Sequence, residues 1–485
     1  EDPLNDPGVM ELRERYIAEP TNEARQEELR NQDLVFRWRY FSALEFNRIG
    51  AWLLLGSLAV AASAFKRRGT ITARLPDPRA LPKGSEESAA ARHARRAVTV
   101  GGGVVLAWSL VLLLRTAGGP HAPPVADTPG QEPEPAPDFP TTEELYANWP
   151  AFRGVFNQGV APAGTTSPTA WNGASGEGVV WKTKVPKSGF SSPVAWGDRI
   201  FLSGGDETAR EIYCFDAVTG DLLWQHLAAN IAGSPEDVPD VTEDTGYAAA
   251  TLTTDGRRVF AIFATGDLVC VDFEGRRVWA RNLGVPDNPY GHASSLLMHE
   301  DLLLVQLDHG EEANLWGLHA KNGETAWKTA REVETSWASP VLIEHEGRPL
   351  VLLLADPDLV AYDPKTGTEF WRVEGVGGEI GPSPAYAEGV AFVVNAYERL
   401  AALKVGADDA LIWEYDEWLP NIPTPLVHGG YIVMPTDDGV VVCFNATTGD
   451  QLWEHEFDEA FYASPIAVGD LVYVMDLSGA MHIIR

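Results

Sequence analysis

Residues 440–453 read VVVCFNATTGDQLW: a short apolar run, a tight turn and a tryptophan. Related stretches are IYCFDAVTGDLLW at 212–224 and LVAYDPKTGTEFW at 359–371. The Asp or Asn that begins each turn can bond to its own backbone, and the glycine supplies a positive φ. Such residues close a hairpin between two antiparallel strands. The stretch therefore predicts one hairpin, and its recurrence predicts a repeated β-fold.

Tryptophans mark the repeat at intervals of 40 to 55 residues. The predicted structural tryptophans are Trp181, Trp224, Trp279, Trp327, Trp371, Trp413 and Trp453. A second marker, a hydroxyl residue followed by proline, begins five repeats: Ser192-Pro193, Ser339-Pro340, Ser383-Pro384, Thr424-Pro425 and Ser464-Pro465. Cys214, Cys270 and Cys443 share one position in the strand before the turn, so we expect them to be small buried residues without disulfides.

One repeat reads as four short strands, which is a propeller blade. The last repeat has room for three strands before Arg485, and the first tryptophan segment, 178–185, has no preceding blade. We expect 178–185 to supply the missing outer strand, because such a pairing removes two open sheet edges. The fold class predicted is an all-β propeller of seven four-stranded blades, or eight if the chain continues past Arg485, preceded by an α-helical anchor that spans a membrane twice.

The repeats resemble those of the pyrroloquinoline-quinone-like (PQQ-like) family over residues 147–485. The stretch NWPAFRG at 148–154 resembles the WPxFRG opening of many bacterial members, and DTGYAA at 244–249 and NPYGHASS at 288–295 are similar to family segments. The family includes quinoprotein dehydrogenases and the propeller lipoprotein of the outer-membrane assembly machinery. The resemblance implies a propeller, and its functional implication is either quinone chemistry or protein binding.

A PQQ-dependent dehydrogenase of this family would use calcium, an Asp base, a Trp floor and, in many cases, a disulfide between adjacent cysteines. No Cys-Cys pair and no clear set of calcium ligands occur here. We therefore predict no catalytic residues, no metal and no cofactor, with PQQ and calcium kept as an alternative. The candidate interaction residues are Tyr290, His292, Asp308 and Trp337 in one polar region, and Glu236, Asp237 and Asp240 in an acidic insertion.

The first third of the chain predicts a membrane anchor. Residues 49–65 and 97–115 form two apolar runs long enough to cross a bilayer as helices. The loop between them, 66–96, holds nine Lys or Arg against three acids, which places it in the cytoplasm. Residues 1–48, an external helical segment, and the propeller at 147–485 would then both lie in the periplasm, with a Pro-rich linker at 116–146 as a spacer.

The second apolar run also carries small residues, Gly101, Gly102, Gly103 and Ala107, which suit close packing against another helix. The expected location is the bacterial inner membrane, with the propeller on the periplasmic side.

The net charge of −32 opposes binding to nucleic acid. Residues 120–485 hold 20 Lys or Arg and 55 acids, so the external part carries the whole imbalance and would attract a cationic partner such as cytochrome c.

We therefore expect a non-catalytic scaffold or docking subunit of a larger envelope complex for electron transfer or transport. The alternatives are a binding module for peptides or unfolded envelope proteins and a PQQ-dependent dehydrogenase.

Overall fold

The computed structural model describes residues 139–309 and 312–485, all within one compact unit. The predicted external segment, both apolar runs, their basic loop and the packing residues Gly101, Gly102, Gly103 and Ala107 lie outside the described residues. Across the part that is described, no helix is both long and apolar enough to span a bilayer. Residues 139–146 end the linker and include a short helix, α1 (Thr142–Tyr146), which Thr141 and Glu144 cap reciprocally.

Within these ranges, twenty-seven strands form seven antiparallel sheets arranged as the blades of a propeller. Blade one contains β1 (Val194–Trp196), β2 (Arg199–Gly205), β3 (Arg210–Asp216) and β4 (Leu222–Leu227). Blade two contains β5 (Thr253–Thr254), β6 (Arg258–Ile262), β7 (Asp267–Asp272) and β8 (Arg277–Asn282). Blade three contains β9 (Leu297–His299), β10 (Leu302–Leu307), β11 (Ala313–His319) and β12 (Thr325–Arg331).

Blade four contains β13 (Val341–His345), β14 (Arg348–Ala355), β15 (Asp358–Tyr362) and β16 (Glu369–Glu374). Blade five contains β17 (Ala385–Ala387), β18 (Val390–Val394), β19 (Leu400–Lys404) and β20 (Leu411–Tyr415). Blade six contains β21 (Leu426–His428), β22 (Tyr431–Pro435), β23 (Val440–Asn445) and β24 (Gln451–Glu456). Blade seven contains β25 (Ile466–Val468), β26 (Leu471–Met475) and β27 (Met481–Ile484).

A ring of hydroxyl side chains joins the inner ends of the blades. The backbone N–H of each of the first six hydroxyl residues donates to the side-chain oxygen of its counterpart in the next blade, at 2.8 to 3.2 Å, giving six links from blade one to blade seven. The ring consists of Ser192, Thr251, Ser295, Ser339, Ser383, Thr424 and Ser464. Because the first strands are short and lie nearest the axis, these links fix one blade against the next where the sheets are narrowest.

Five of the blade tryptophans pack on the turn of the following blade, and Trp453 on β24 is exposed; the five are Trp224, Trp279, Trp327, Trp371 and Trp413. Six of the seven lie on the fourth strand of a blade. The indole N–H of Trp224 donates to the Phe273 carbonyl at 2.7 Å, and a Cβ built on Gly275 would lie 2.7 Å from its ring. The turn between the third and fourth strands of one blade thus forms a surface, which we call the platform, on which the tryptophan of the preceding blade packs.

Apolar side chains between the sheets form six clusters, each joining two successive blades from one to seven. The cysteines lie in this core, buried and free, as predicted. Burial raises the pKa of the Cys443 thiol to about 11, so the thiol stays protonated and unreactive at neutral pH.

The prediction of a shared outer strand for blade seven is wrong. Residues 178–185 form no strand, and blade seven has three strands, β25, β26 and β27. The indole N–H of Trp181 donates to the Ala217 carbonyl of blade one at 3.0 Å, so the segment is held on blade one. Trp181 does occupy the platform position on the blade-one turn, with its ring 2.5 Å from a Cβ built on Gly220.

Residues 148–161, which we call the leading segment, bridge blades seven and one instead. Trp149 forms an antiparallel bridge with Ala195 of blade one, and Val160 forms a parallel bridge with Ala467 of blade seven. The same segment reaches blade four, where the Asn157 side-chain amide donates to the Pro340 carbonyl at 2.8 Å. A single segment that contacts inner strands on opposite sides of the ring lies on the propeller axis.

Candidate functional site

The strand order within each blade gives the propeller two faces that carry different connections. In an antiparallel sheet of four strands, successive turns alternate between the two ends. One face therefore carries the connections from the second to the third strand and those that lead to the next blade; we call it the loop face. The opposite face, the turn face, carries the hairpins after the first and third strands.

Exposed charges on the loop face are all negative among its described connections. Seventeen acids are exposed there, and no exposed Lys or Arg accompanies them. They are Glu207, Glu236, Asp237, Asp240, Glu243, Asp244, Asp287, Glu312, Glu332, Glu334, Glu379, Glu398, Asp416, Glu417, Asp438, Asp458 and Glu459. The turn face, by contrast, also exposes the cations Arg257, Arg276, Lys321 and Lys365. The loop face thus concentrates a negative field that draws in cationic groups.

Large apolar side chains are exposed on the loop face of blades five to seven. Tyr397 is 83% exposed and Trp418 is 41% exposed. Trp418 has a φ of +45°, which is unusual for a residue other than glycine. We use the name aromatic patch for the five exposed residues Tyr397, Trp418, Ile422, Tyr462 and Leu477. Exposed aromatic residues next to charged groups are typical of protein-binding surfaces.

The structure brings together Tyr290 and Trp337, two of the predicted interaction residues. Their ring centroids are 4.9 Å apart in an edge-to-face arrangement. The indole N–H of Trp337 donates to Asn288 Oδ1 at 3.3 Å, and its backbone N–H donates to the Ile380 carbonyl. The pair therefore ties the connection between blades two and three to that between blades three and four.

The predicted residue His292 is buried and does not face solvent. Burial lowers the pKa of its imidazole to about 4. The nearby His309 lies at the end of β10, where its Nδ1 accepts a hydrogen bond from the Asp287 backbone at 3.3 Å. At neutral pH, His292 is a neutral packing residue of the loop-face core.

Asp308 forms a buried ion pair with Arg331, whose Nε donates to Asp308 Oδ1 at 2.8 Å. Gln306 donates to the other carboxylate oxygen at 2.8 Å, and Arg331 Nη1 donates to the Tyr362 hydroxyl at 3.1 Å. Burial raises the pKa of Asp308, and Arg331 opposes that rise. Both carboxylate oxygens of Asp308 are hydrogen-bonded. Through Arg331 and Tyr362, this network connects blade three to blade four.

The acidic insertion presents Glu236, Asp237 and Asp240 to solvent. The loop is tied down by the Tyr247 hydroxyl, which donates to the Pro239 carbonyl at 3.0 Å. Its carboxylates therefore contribute to the loop-face field.

A cleft of about 400 Å³ on the loop face was not predicted. It lies between blades three and four and is lined in part by Glu332, Glu334 and Asp356. These acids lie on two separate connections. The sequence therefore shows that they are charged but does not indicate that they are close together in space.

The described residues do not fit the calcium ion that supports quinone chemistry. No group of three or more His, Cys, Asp or Glu side chains within 139–309 and 312–485 is arranged to hold a metal ion. On the axis, the leading segment passes through the ring of inner strands. We therefore propose no quinone-dependent reaction for this chain.

Comparison with known proteins identifies the family. A family model described as outer membrane protein assembly factor BamB matches residues 151–289 and 355–485. The protein of that name from Yersinia pestis is 21% identical over 296 residues, which cover 59% of this chain and 69% of the relative.

The chain is also similar to two solved structures. BamB from Moraxella catarrhalis has a TM-score of 0.49 and 16% identity, covering 64% of this chain and 88% of that one. A quinohemoprotein alcohol dehydrogenase from Pseudomonas putida HK5 has a TM-score of 0.42 and 12% identity, covering 70% of this chain and 78% of that one. The match of the family model over more than half the sequence confirms the predicted resemblance, and the chain belongs to the PQQ-like propeller family described as outer membrane protein assembly factor BamB.

Proposed function

We propose that this chain is a non-catalytic docking subunit of a bacterial envelope complex and binds a protein partner on its loop face. The observation that carries the proposal is the combination of seventeen exposed acids with the aromatic patch on one face. Acids that far outnumber the cations beside them, here Arg399 next to Glu398 and Lys187 next to Asp206, attract a basic partner and speed its association. Exposed Tyr and Trp side chains then supply contact area that can be dehydrated on binding.

The family supports a role in assembly. The description of the matching family and the name of the Yersinia pestis relative both refer to an assembly factor of outer membrane proteins. For this chain we propose a periplasmic location and protein partners in the envelope. The finer proposal, from the sequence, is an inner-membrane anchor formed by 49–65 and 97–115 and membership of an electron-transfer or transport assembly.

The partner that fits the loop face is a polypeptide segment with Lys or Arg interleaved with apolar residues. Its cations would face acids such as Asp416 and Glu417, and its apolar side chains would cover Trp418. A soluble cationic protein such as cytochrome c has the required charge, and the aromatic patch adds a requirement for apolar side chains beside that charge.

The two ends of strand β20 offer a matched test in blade five. Asp416 and Glu417 follow the strand on the loop face, and Asp408 and Asp409 precede it on the turn face; all four are exposed. The full chain would be extracted from native membranes in mild detergent as the unchanged protein, D416N/E417Q or D408N/D409N. Co-migrating proteins would be identified and their ratio to the chain measured by native mass.

We expect a partner at a fixed ratio with the unchanged chain and with D408N/D409N. The D416N/E417Q variant should retain less of it at low salt, and its difference from the unchanged chain should shrink as salt is raised, because salt screens the attraction that the variant has lost. A lone monomer in every sample, or equal loss with both pairs, would contradict docking on the loop face.

The aromatic patch favours a second candidate, the binding of unfolded envelope polypeptides. Such binding would be sequence-tolerant and would depend on Trp418 and Tyr397, the exposed aromatic residues. Titration of the full chain with a basic unfolded peptide and with the same peptide lacking apolar residues tests it. Equal affinity for both peptides would mean that charge attraction alone explains the binding. That result would reject the binding of unfolded polypeptides as the function.

A further inference from the structure

The arginine of the WPAFRG stretch, Arg153, lies within the ring of blades. Its Nη2 donates to the carbonyl of Pro425 in blade six at 3.0 Å. The backbone of Gly159 covers the guanidinium so closely that a Cβ built there would lie 2.7 Å from Nη2. The Arg153 carbonyl in turn accepts the Gly159 N–H at 2.8 Å, closing the leading segment into a loop around the side chain.

This guanidinium is a buried cation without a counter-charge. Arg153 is 3% exposed, and its Nε and Nη1 have no hydrogen-bond acceptor. No carboxylate in the described part of the chain forms an ion pair with it. Burial lowers the pKa of Arg153 to about 9, which still leaves the side chain charged at neutral pH. An unpaired buried charge is costly, so the arrangement calls for an anion.

Other buried arginines in the propeller are compensated. Arg331 is paired with Asp308 at 2.8 Å, and Arg258 is paired with Asp255 at 2.7 Å. Residues 139–309 and 312–485 are rich in acids, yet none of the carboxylates in these ranges forms an ion pair with Arg153. The missing counter-charge therefore points to a ligand from solution.

We propose that Arg153 binds a small monovalent anion, a halide, on the propeller axis. A halide accepts several N–H donors at once and needs no donor in return. Because Nη2 already donates to Pro425 and the backbone of Gly159 lies against the guanidinium, only Nε and Nη1 remain to hold an anion, which suits a single-atom halide better than a phosphate. The bound anion would stabilise the leading segment, and with it the junction between blades seven and one that this segment bridges.

Bromide provides a direct test, because its anomalous scattering marks its position. Crystals of the detergent-solubilised full chain would be grown with bromide replacing chloride. We expect an anomalous peak within hydrogen-bonding distance of Nε or Nη1 of Arg153. Peaks confined to surface Lys and Arg, with none at Arg153, would overturn the proposal, and this measurement needs no variant that has to fold.

Thermal unfolding gives an independent readout. At constant ionic strength, replacing gluconate by chloride should raise the Tm of the full chain by about 1–2 °C. The rise should disappear in R153M and persist in R276M, a control at an exposed arginine of the turn face. An equal chloride effect in R153M and the unchanged chain would reject a site at Arg153.

Discussion

The backbone N–H of Ser339 in blade four donates to Oγ of Ser383 in blade five at 2.8 Å, and both residues are buried. We expect Ser383→Ala to leave this amide without an acceptor and to lower the free energy of unfolding by about 1–3 kcal/mol. Thermal unfolding of the full chain measures the change. Thr166→Ala, at an exposed side chain, is the control, and an equal loss in both variants would contradict a structural role for the ring.

Gly323→Ala should destabilise the platform on which Trp279 packs. A Cβ at Gly323 would lie 2.6 Å from the indole ring, and the φ of +71° adds about 1–2 kcal/mol of strain. Gly347→Ala is a matched control, because Gly347 has a φ of +76° with open space around it. Chemical denaturation should show a clearly larger loss for Gly323→Ala; equal losses would mean that backbone strain alone explains the effect.

Acid should destabilise the propeller through His292. Its folded-state pKa of about 4 lies below the ordinary value of about 6.5, so the unfolded chain binds a proton first. The stabilisation is complete above pH 6.5 and is lost as the pH falls towards 4, at most about 3 kcal/mol. His292→Gln should flatten the decline of Tm between pH 7.5 and 5, whereas His455→Gln, at an exposed site, should not. Parallel curves for all three proteins would disprove this origin.

Asp308→Asn should be among the more damaging single changes on the loop-face side, because it leaves Arg331 charged and buried. Breaking a buried pair by removing one partner costs about 3–5 kcal/mol. The double variant D308L/R331M removes both charges and should recover much of the lost stability in a denaturation curve. A double variant as unstable as D308N would show that packing, and not the unpaired charge, causes the loss.

Local chemistry was enough to predict the blades. The turn glycines and the tryptophans recur within single repeats, and the platform arrangement, such as Trp224 on Gly275, uses only neighbours in the sequence of blades. The hydroxyl ring was recognised in part. Thr251 and Ser295 belong to it but are followed by Leu, so a search for Ser-Pro missed them. The shared property is the hydroxyl, and the 44-residue spacing from Thr251 to Ser295 and on to Ser339 was the available signal.

Contacts between distant parts of the chain could not be predicted. Arg153 reaches Pro425, 272 residues away, and no periodic pattern links the two. Asp308 and Trp337 were predicted as interaction residues of one polar region, but the sequence did not show that Asp308 is paired with Arg331. Exposure at the aromatic patch depends on which loops cover Trp418, and that follows from tertiary packing.

The leading segment is made before any blade, yet its partners include Pro340, Pro425 and Ala467. Trp149 and Asn157 can contact blades one and four once those blades have folded, but the bridge from Val160 to Ala467 has to wait for blade seven, which is made last. The junction between blades seven and one is therefore completed late, and a chain truncated within blade seven would lose the partner of Val160, whereas Trp149 and Asn157 would keep theirs in blades one and four.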